Sequence, residues 1–518
     1  MPRRVRKAAY SRVGCATCKQ RHKKCDGNKP RCDACVRLNL KCEQSDGFRN
    51  FQPASPESQE SPNETQILSL DEPRSISPAS PESSPDSLPA QVNNIPALSQ
   101  QDWQYFQYYV ERLSDLLLNG HAPYNPLRSL IVPRMTSSPL LLQAVCSISA
   151  QHRANGAGIE KPQFQTAATA YYLRALSNLK QWIPYISWLQ DTAQYGGDTE
   201  SLETAVLVSI FLCKHEIIKA GVANWRSHLV AIESFCRLLA SDERAGMSEV
   251  VMYARSFILY HRSTASVTDQ SALMLGNTCY DQTLDLESYG SSYIVDPYMG
   301  ISQDLVLTLQ RVSHLLNFES DDEIQRVVLM SEVEAILQLI KERSWTLKLA
   351  FIPREMSPAS TSVLIYVARA YESAILAYLH SVIDSLAERD LVAENNKNQQ
   401  GPLCFWQRLH DLVPSTKEQA VADCIVEILQ VPVGAPEEPG LLPLLFIVAC
   451  IAESPEETWI VLERVEGLGV NFRLGNMDFV GAFVREVWRQ RVFAAGSVGG
   501  RIGWRELLAR SKWDLMLS

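Results

Sequence analysis

The rhythm of polar and apolar positions changes once along this chain, near residue 99. From there on, apolar residues recur every three or four positions, the spacing that lines one side of an α-helix. Trp103, Phe106, Val110, Leu113 and Leu117 form such a stripe. Ser99 predicts its cap, and Asp102, three residues on, completes a capping box. Ser138-Pro139 predicts another start, with Ser as cap and Pro in the first turn, followed by the stripe Leu141, Ala144, Val145 and Ile148. The same period predicts helices near 164–183, 200–218, 224–240, 303–317, 322–342, 360–387, 403–412, 416–430, 455–466 and 477–493. Ser415 with Glu418, and Ser454-Pro455 with Glu457, mark two further starts. Loops are expected near 155–162, 188–200, 276–300 and 394–402. Strand-like alternation is nearly absent. Residues 99–518 therefore read as one all-α domain of stacked helices.

Upstream of Ser99 the pattern dissolves. Residues 43–98 contain eleven Ser, nine Pro, nine Asp or Glu and two Arg. A stretch this poor in apolar residues cannot bury enough surface to offset chain entropy, so it is expected to be disordered. As a flexible tether of 56 residues it would span roughly 40 Å or more. The phrase ASPES occurs at Ala54 and again at Ala79, and five Ser-Pro pairs, at Ser55, Ser61, Ser77, Ser80 and Ser84, are candidate sites for proline-directed kinases. Plain disordered composition explains those pairs equally well. The island Ile67 to Glu72 mixes apolar and acidic residues as a short partner motif would. There is no heptad pattern here, so no coiled coil is expected.

The chemistry lies further upstream still. Cys15, Cys18, Cys25, Cys32, Cys35 and Cys42 read C-x2-C-x6-C twice over, with identical spacing in each half. A C-x2-C pair brings two thiolates to one ion, and tetrahedral zinc takes four ligands. Two separate ions would need eight thiolates where six are present. Either two cysteines bridge, or one ion alone is fully held with two thiols to spare. Symmetry singles out Cys15 and Cys32 as the bridging pair, because they open the two half-repeats. A disulfide module is the remaining reading. The context speaks against it, since MPRRVRKAAYSR has no apolar core after its charges and the other seven cysteines are scattered singly.

Charge adds direction. Residues 1–42 hold 13 Lys or Arg and 2 Asp, a net +11, so the rest of the chain carries −20 to reach the total of −9. A basic end on an acidic chain points to a polyanionic partner at that end. Residues 1–14 read as a basic arm. With KQRHKK at 19–24 they also fit a nuclear import signal, although DNA-binding charge looks the same.

The stretch CATCKQRHKKCDGNKPRCDACVRLNLKC resembles the binuclear zinc cluster (Zn2Cys6) of fungal transcription factors, in its cysteine spacing, its basic residues between the second and third cysteine, Cys25-Asp26 and Pro30. The resemblance implies two Zn2+ per chain, with the first and fourth cysteines bridging, and double-stranded DNA as partner. It places Arg21 and His22 at base-contacting positions and Lys19 and Lys24 at phosphate-contacting ones, with Lys23 in the same basic loop. His22 departs from the commoner Lys or Arg. The family commonly recognises CGG triplets, which implies a C·G-rich half-site. Its members often dimerise through a coiled coil directly after the cluster, and here Ser/Pro-rich sequence follows instead. Pairing would therefore come from the helical body, or the cluster would read a site alone.

The helical body resembles something too. SPLLLQAVCSISAQHRA, NWRSHLVAIESFCRLL, LLPLLFIVACIAES and VREVWRQR, in that order, are similar to the fungal-specific transcription factor regulatory domain, of the type found in acriflavine-sensitivity and sterol-uptake control regulators. The two resemblances together imply a nuclear RNA polymerase II transcription factor, with the transcription machinery or co-regulators as further partners. A repressor and a sensor responding to a small-molecule effector held between helices are the alternatives. An enzyme is not expected. The chain has no Walker A loop, no G-x-S-x-G, no H-E-x-x-H and no kinase set. His152, His215 and His228 sit on apolar-rich helices, where packing is the ordinary role. No membrane span is expected either, because the longest apolar run, Leu441 to Ala452, has twelve residues against the roughly 20 needed.

Overall fold

A computed structural model describes residues 32–37, 98–119, 125–181, 199–219, 224–240, 246–269, 295–318, 323–343, 358–395, 403–495, 503–510, 513 and 515–517. The chain divides into two units, Met1–Asp86 and Ser87–Ser518. In the first, the described part is a cysteine followed by a short helix, α1 (Asp33–Arg37).

The second unit is helical, and among the described residues it contains no β-strand, only an isolated bridge between Val295 and Ser302. It opens with α2 (Gln100–Tyr108), a π-helical turn (Tyr109–Leu113) and α3 (Ser114–Leu116), followed by α4 (Pro126–Ser137), α5 (Pro139–Gly156) and α6 (Lys161–Lys180). Next come α7 (Thr199–Lys219), α8 (Trp225–Leu239), α9 (Glu249–Thr268), α10 (Gln303–His314) and α11 (Glu323–Glu342). The C-terminal part holds α12 (Pro358–Asn395), α13 (Leu403–Leu412), α14 (Lys417–Gln430), α15 (Leu442–Ile451), α16 (Pro455–Phe472), α17 (Gly475–Ala495) and α18 (Trp504–Arg510). Neighbours in sequence are mostly neighbours in space. α5 packs on α6, α7 and α2; α9 on α7 and α10; α12 on α10, α14 and α15; and α17 returns to touch α7. One continuous apolar core results.

The predicted caps form, with one displacement. The Ser99 hydroxyl accepts from the Asp102 amide at 3.1 Å and the Asp102 carboxylate accepts from the Ser99 amide at 3.1 Å, the reciprocal bonds of a capping box. Tyr171 also donates to Asp102 at 2.5 Å, tying this cap to α6. Ser138 caps α5 through the Leu141 amide, and Ser454 caps α16. The start expected at Ser415 is capped one residue later, by Thr416, which accepts from the Gln419 amide.

Two expectations about packing are corrected. Along α2 and the π-helical turn the buried line is Tyr105, Tyr109 and Leu113; of the expected stripe Leu113 is buried and Phe106, Val110 and Leu117 pack partly buried against the core, but Trp103 stands 53% exposed. Tyrosine bodies, apolar up to the hydroxyl, make the inward face there. Four helices fall outside the periodicity, namely α4, α9, α15 and α18. α9 is buried along nearly its whole length, Ser263, Thr264 and Ser266 included, and all ten residues of α15 are buried. A helix surrounded on every side has no polar face, so it leaves no 3.6-residue signal. α12 and α16 also extend further than the periodicity implied.

Surrounded helices also bear on membranes. Within α12, Ser360–Leu391 has a mean hydropathy of 1.2 in its most apolar window, long and apolar enough to cross a bilayer by length and composition. Half of that window is buried inside the protein, with Tyr371, Ile375 and Tyr378 fully enclosed. Flanked by α10, α14 and α15, it is a core helix of the bundle.

Candidate metal centre

Cys32 stands immediately before α1, and its carbonyl accepts from the amides of Cys35 and Val36, at 3.0 Å each. Those two bonds fold C-x2-C into one helical turn. Residues three apart lie on the same side of such a turn, so both sulfurs are carried by one face. Burial follows the thiols and not hydrophobicity. Cys32 and Cys35 are fully buried, whereas Val36 is 56% exposed and Arg37 is exposed. An ordinary short helix would tuck its valine inward and leave cysteine indifferent. A module whose interior is a metal does the reverse, because ligation supplies the free energy an apolar core would otherwise provide. Two thiols on one buried turn fit half of a tetrathiolate zinc site. The zinc such a turn holds would be structural.

The other cysteines of the repeat, Cys15, Cys18, Cys25 and Cys42, lie outside the described residues. So do Lys19, Arg21, His22, Lys23 and Lys24, and the Ser-Pro sites Ser55, Ser61, Ser77, Ser80 and Ser84.

Among the described residues of the helical body, Cys146, Cys213, Cys424 and Cys450 and His152, His215 and His228 are packed inside. Cys146, Cys213 and Cys424 are buried, and burial pushes their thiol pKa values up; that of Cys450 rises to about 12. Such thiols stay protonated and behave as small hydrophobes. His152 joins the hydroxyl of Tyr108 at 2.8 Å to the carbonyl of Phe472 at 2.7 Å. Burial holds His215 down to about 3 and His228 to about 4, so both are neutral at pH 7. Among the described residues no three His, Cys, Asp or Glu side chains gather as a metal site.

One polar cluster escaped the sequence reading. Lys214 on α7 and Tyr253 and His261 on α9 face a common cavity. The available signal is the pair His261 and Arg262 within an apolar stretch, but α9 has no wet face to announce it by period.

Buried paired thiols near the end of a basic segment, with a separate helical unit following in the chain, fit a metal-built module joined to a larger helical domain. Residues 104–518 match the fungal specific transcription factor domain, and residues 13–50 match the fungal Zn(2)-Cys(6) binuclear cluster domain. The chain belongs to the fungal-specific transcription factor family and is a zinc-binding, DNA-binding transcription regulator. These families are those of transcription factors, not enzymes. No curated protein and no solved structure matches the chain.

Proposed function

We propose that the chain regulates RNA polymerase II transcription in the nucleus, with its N-terminal cluster reading C·G-rich, CGG-type sites. The observation carrying this reading is the buried Cys32–Cys35 turn within the duplicated cysteine repeat. Two Zn2+ share the six cysteines, with Cys15 and Cys32 bridging, so that four sulfurs surround each ion. The second half-repeat mainly completes the metal core. It carries only Arg37 and Lys41 as basic residues after Cys35, and an apolar side chain, Val36, stands exposed there. The first half-repeat faces DNA with Lys19, Gln20, Arg21, His22, Lys23 and Lys24. A short helix after Cys15 enters the major groove, where guanine offers O6 and N7 to a cationic donor. Arg21 and His22 read bases; Lys19, Lys23 and Lys24 hold phosphates.

Base and phosphate contacts fail differently, and that difference is the test. Losing a base contact should cost about 1–3 kcal/mol and relax the preferred sequence, whereas losing a phosphate contact weakens all sites alike and lowers the salt slope by about one. Site selection from random DNA with the full chain is expected to return CGG triplets. Arg21→Ala should flatten that profile, and Lys24→Ala should leave it intact but weaker. Full CGG preference in Arg21→Ala would overturn the assignment.

Residues 99–518 act as the regulated half, engaging co-regulators or a small-molecule effector, and any homodimer forms through them. Residues 43–98 serve as a flexible tether, with the Ser-Pro serines as phosphorylation sites beside a basic cluster that added negative charge would oppose. Limited proteolysis of the full chain is expected to cut first between 43 and 98, leaving a helical fragment intact. Resistance across that stretch would contradict the division.

A further inference from the structure

Two imidazoles meet where α13 and the start of α14 rest on α12. His380, on α12, is 4% exposed, and the side chain of His410, on α13, is 26% exposed. Their rings stack 10° from parallel, and the two Nδ1 atoms face each other at 2.8 Å. At the outer ends, His380 Nε2 lies 2.8 Å from the carbonyl of Ser415, just before α14, and His410 Nε2 lies 3.2 Å from the Asp384 carboxylate, one turn along α12. Lys417, the first residue of α14, donates to the other oxygen of Asp384 at 3.1 Å.

This line admits one count of protons. A carbonyl and a carboxylate accept hydrogen bonds and cannot donate, so each Nε2 carries a proton. The inner contact needs one more, because two bare lone pairs at 2.8 Å repel each other. Two neutral imidazoles carry two protons between them, and this pair holds three, so one ring is an imidazolium. Burial lowers the His380 pKa, which places the charge on His410, against Asp384. Burial opposes the ionisation of Asp384 too, but the bond from His410 and the charge of Lys417 outweigh it and hold its carboxyl below the usual carboxylate range. Glu418, next along α14, adds a negative charge within reach of His380. Other charges on these helices are engaged elsewhere. Asp411, beside His410, accepts from Gln407, and Arg326 of α11 faces Phe405 and Asp390. Arg505 of α18 donates to Ser381 and Ser385 on an adjoining face of α12. α10 meets α12 through Ser313 and Tyr378, and α15 carries no charge.

We propose that His380 and His410 form a proton-operated latch, in which one shared proton fastens α13 and the start of α14 to α12 and its release as pH rises frees them. The latched pair binds a proton that the released pair gives up, so its stabilisation falls as pH rises. An acid limit exists as well. A fourth proton, on Nδ1 of His380, would break the inner bond, and because burial lowers the pKa of that ring, this limit lies below the ordinary imidazole value of 6.5. The latch is strongest between the two limits, which belong to the pair and not to either ring. It is read without DNA, so its failure would leave the proposal for DNA recognition standing.

The test is thermal unfolding of the zinc-loaded full chain, followed by circular dichroism from about pH 5 to pH 9. Hydrogen exchange of residues 403–416, corrected for its intrinsic pH dependence, gives a local readout. His410→Gln can still donate to His380 but cannot titrate. Relative to it, the unaltered chain is expected to lose melting temperature toward the alkaline end, while exchange in 403–416 quickens. Lys417→Gln removes a competing cation and should move that loss upward by about one pH unit, and Asp384→Asn removes the anion that holds the proton and should move it downward by about as much. A pair held by packing alone would show neither shift. Parallel pH profiles for the unaltered chain and His410→Gln, or no shift in either charge variant, would each overturn the proposal.

Discussion

Cys32→Ala is expected to abolish sequence-specific DNA binding and to lower bound zinc from two ions per chain to one or none. Cys32 is fully buried and its carbonyl anchors the turn that carries Cys35. In the shared arrangement it contributes a thiolate to both ions, so its loss leaves each with three. Ligation of a structural zinc is worth on the order of 10 kcal/mol in small modules, which a segment this size cannot replace with apolar burial. Cys35→Ala should be milder, since Cys35 touches one ion only. Cys450→Ala is the control. Its thiol lies inside α15, protonated, and its loss should leave zinc content unchanged. Elemental analysis of the purified chain together with a DNA-binding titration checks the set. Two zinc ions retained in Cys32→Ala would sink the bridged arrangement.

Phe446→Ala is expected to cost the helical body about 3–5 kcal/mol, the range for deleting a buried aromatic ring and leaving a cavity. Phe446 is fully buried on α15, stacked on Phe483 at 5.8 Å and edge-on to Trp504 at 5.5 Å. It thus joins α15, α17 and α18, and its removal empties a space that three helices share. Against a total stability of about 5–15 kcal/mol typical of domains, such a loss is large. Trp459→Ala on the outer face of α16 provides the contrast, because Trp459 is 68% exposed and surface substitutions usually stay within about 0.5 kcal/mol. Urea unfolding followed by tryptophan fluorescence and circular dichroism measures Phe446→Ala, and circular dichroism alone serves for Trp459→Ala. A loss below about 1 kcal/mol for Phe446→Ala would contradict the packing described.

The sequence by itself determined what depends on local geometry. C-x2-C puts two sulfurs on one turn whatever surrounds it, and in the structure Cys32 and Cys35 are buried together on such a turn. Ser99 with Asp102, and Ser138 before Pro139, cap their helices through bonds spanning three residues, so the starts of α2 and α5 were legible from the sequence. Helices with one wet face, such as α8 and α14, announced themselves by period. Only the tertiary structure decided the rest. α9 and α15 are enclosed on all sides, and enclosure erases the alternation that reveals a helix. Trp103 and Tyr105 exchanged roles because which face of α2 is covered depends on where α5 and α6 lie. His152 needed Phe472, 320 residues away, before its burial had a reason. The meeting of Tyr253 and His261 at one cavity is of the same kind: the space exists only once α7 and the start of α17 close around α9.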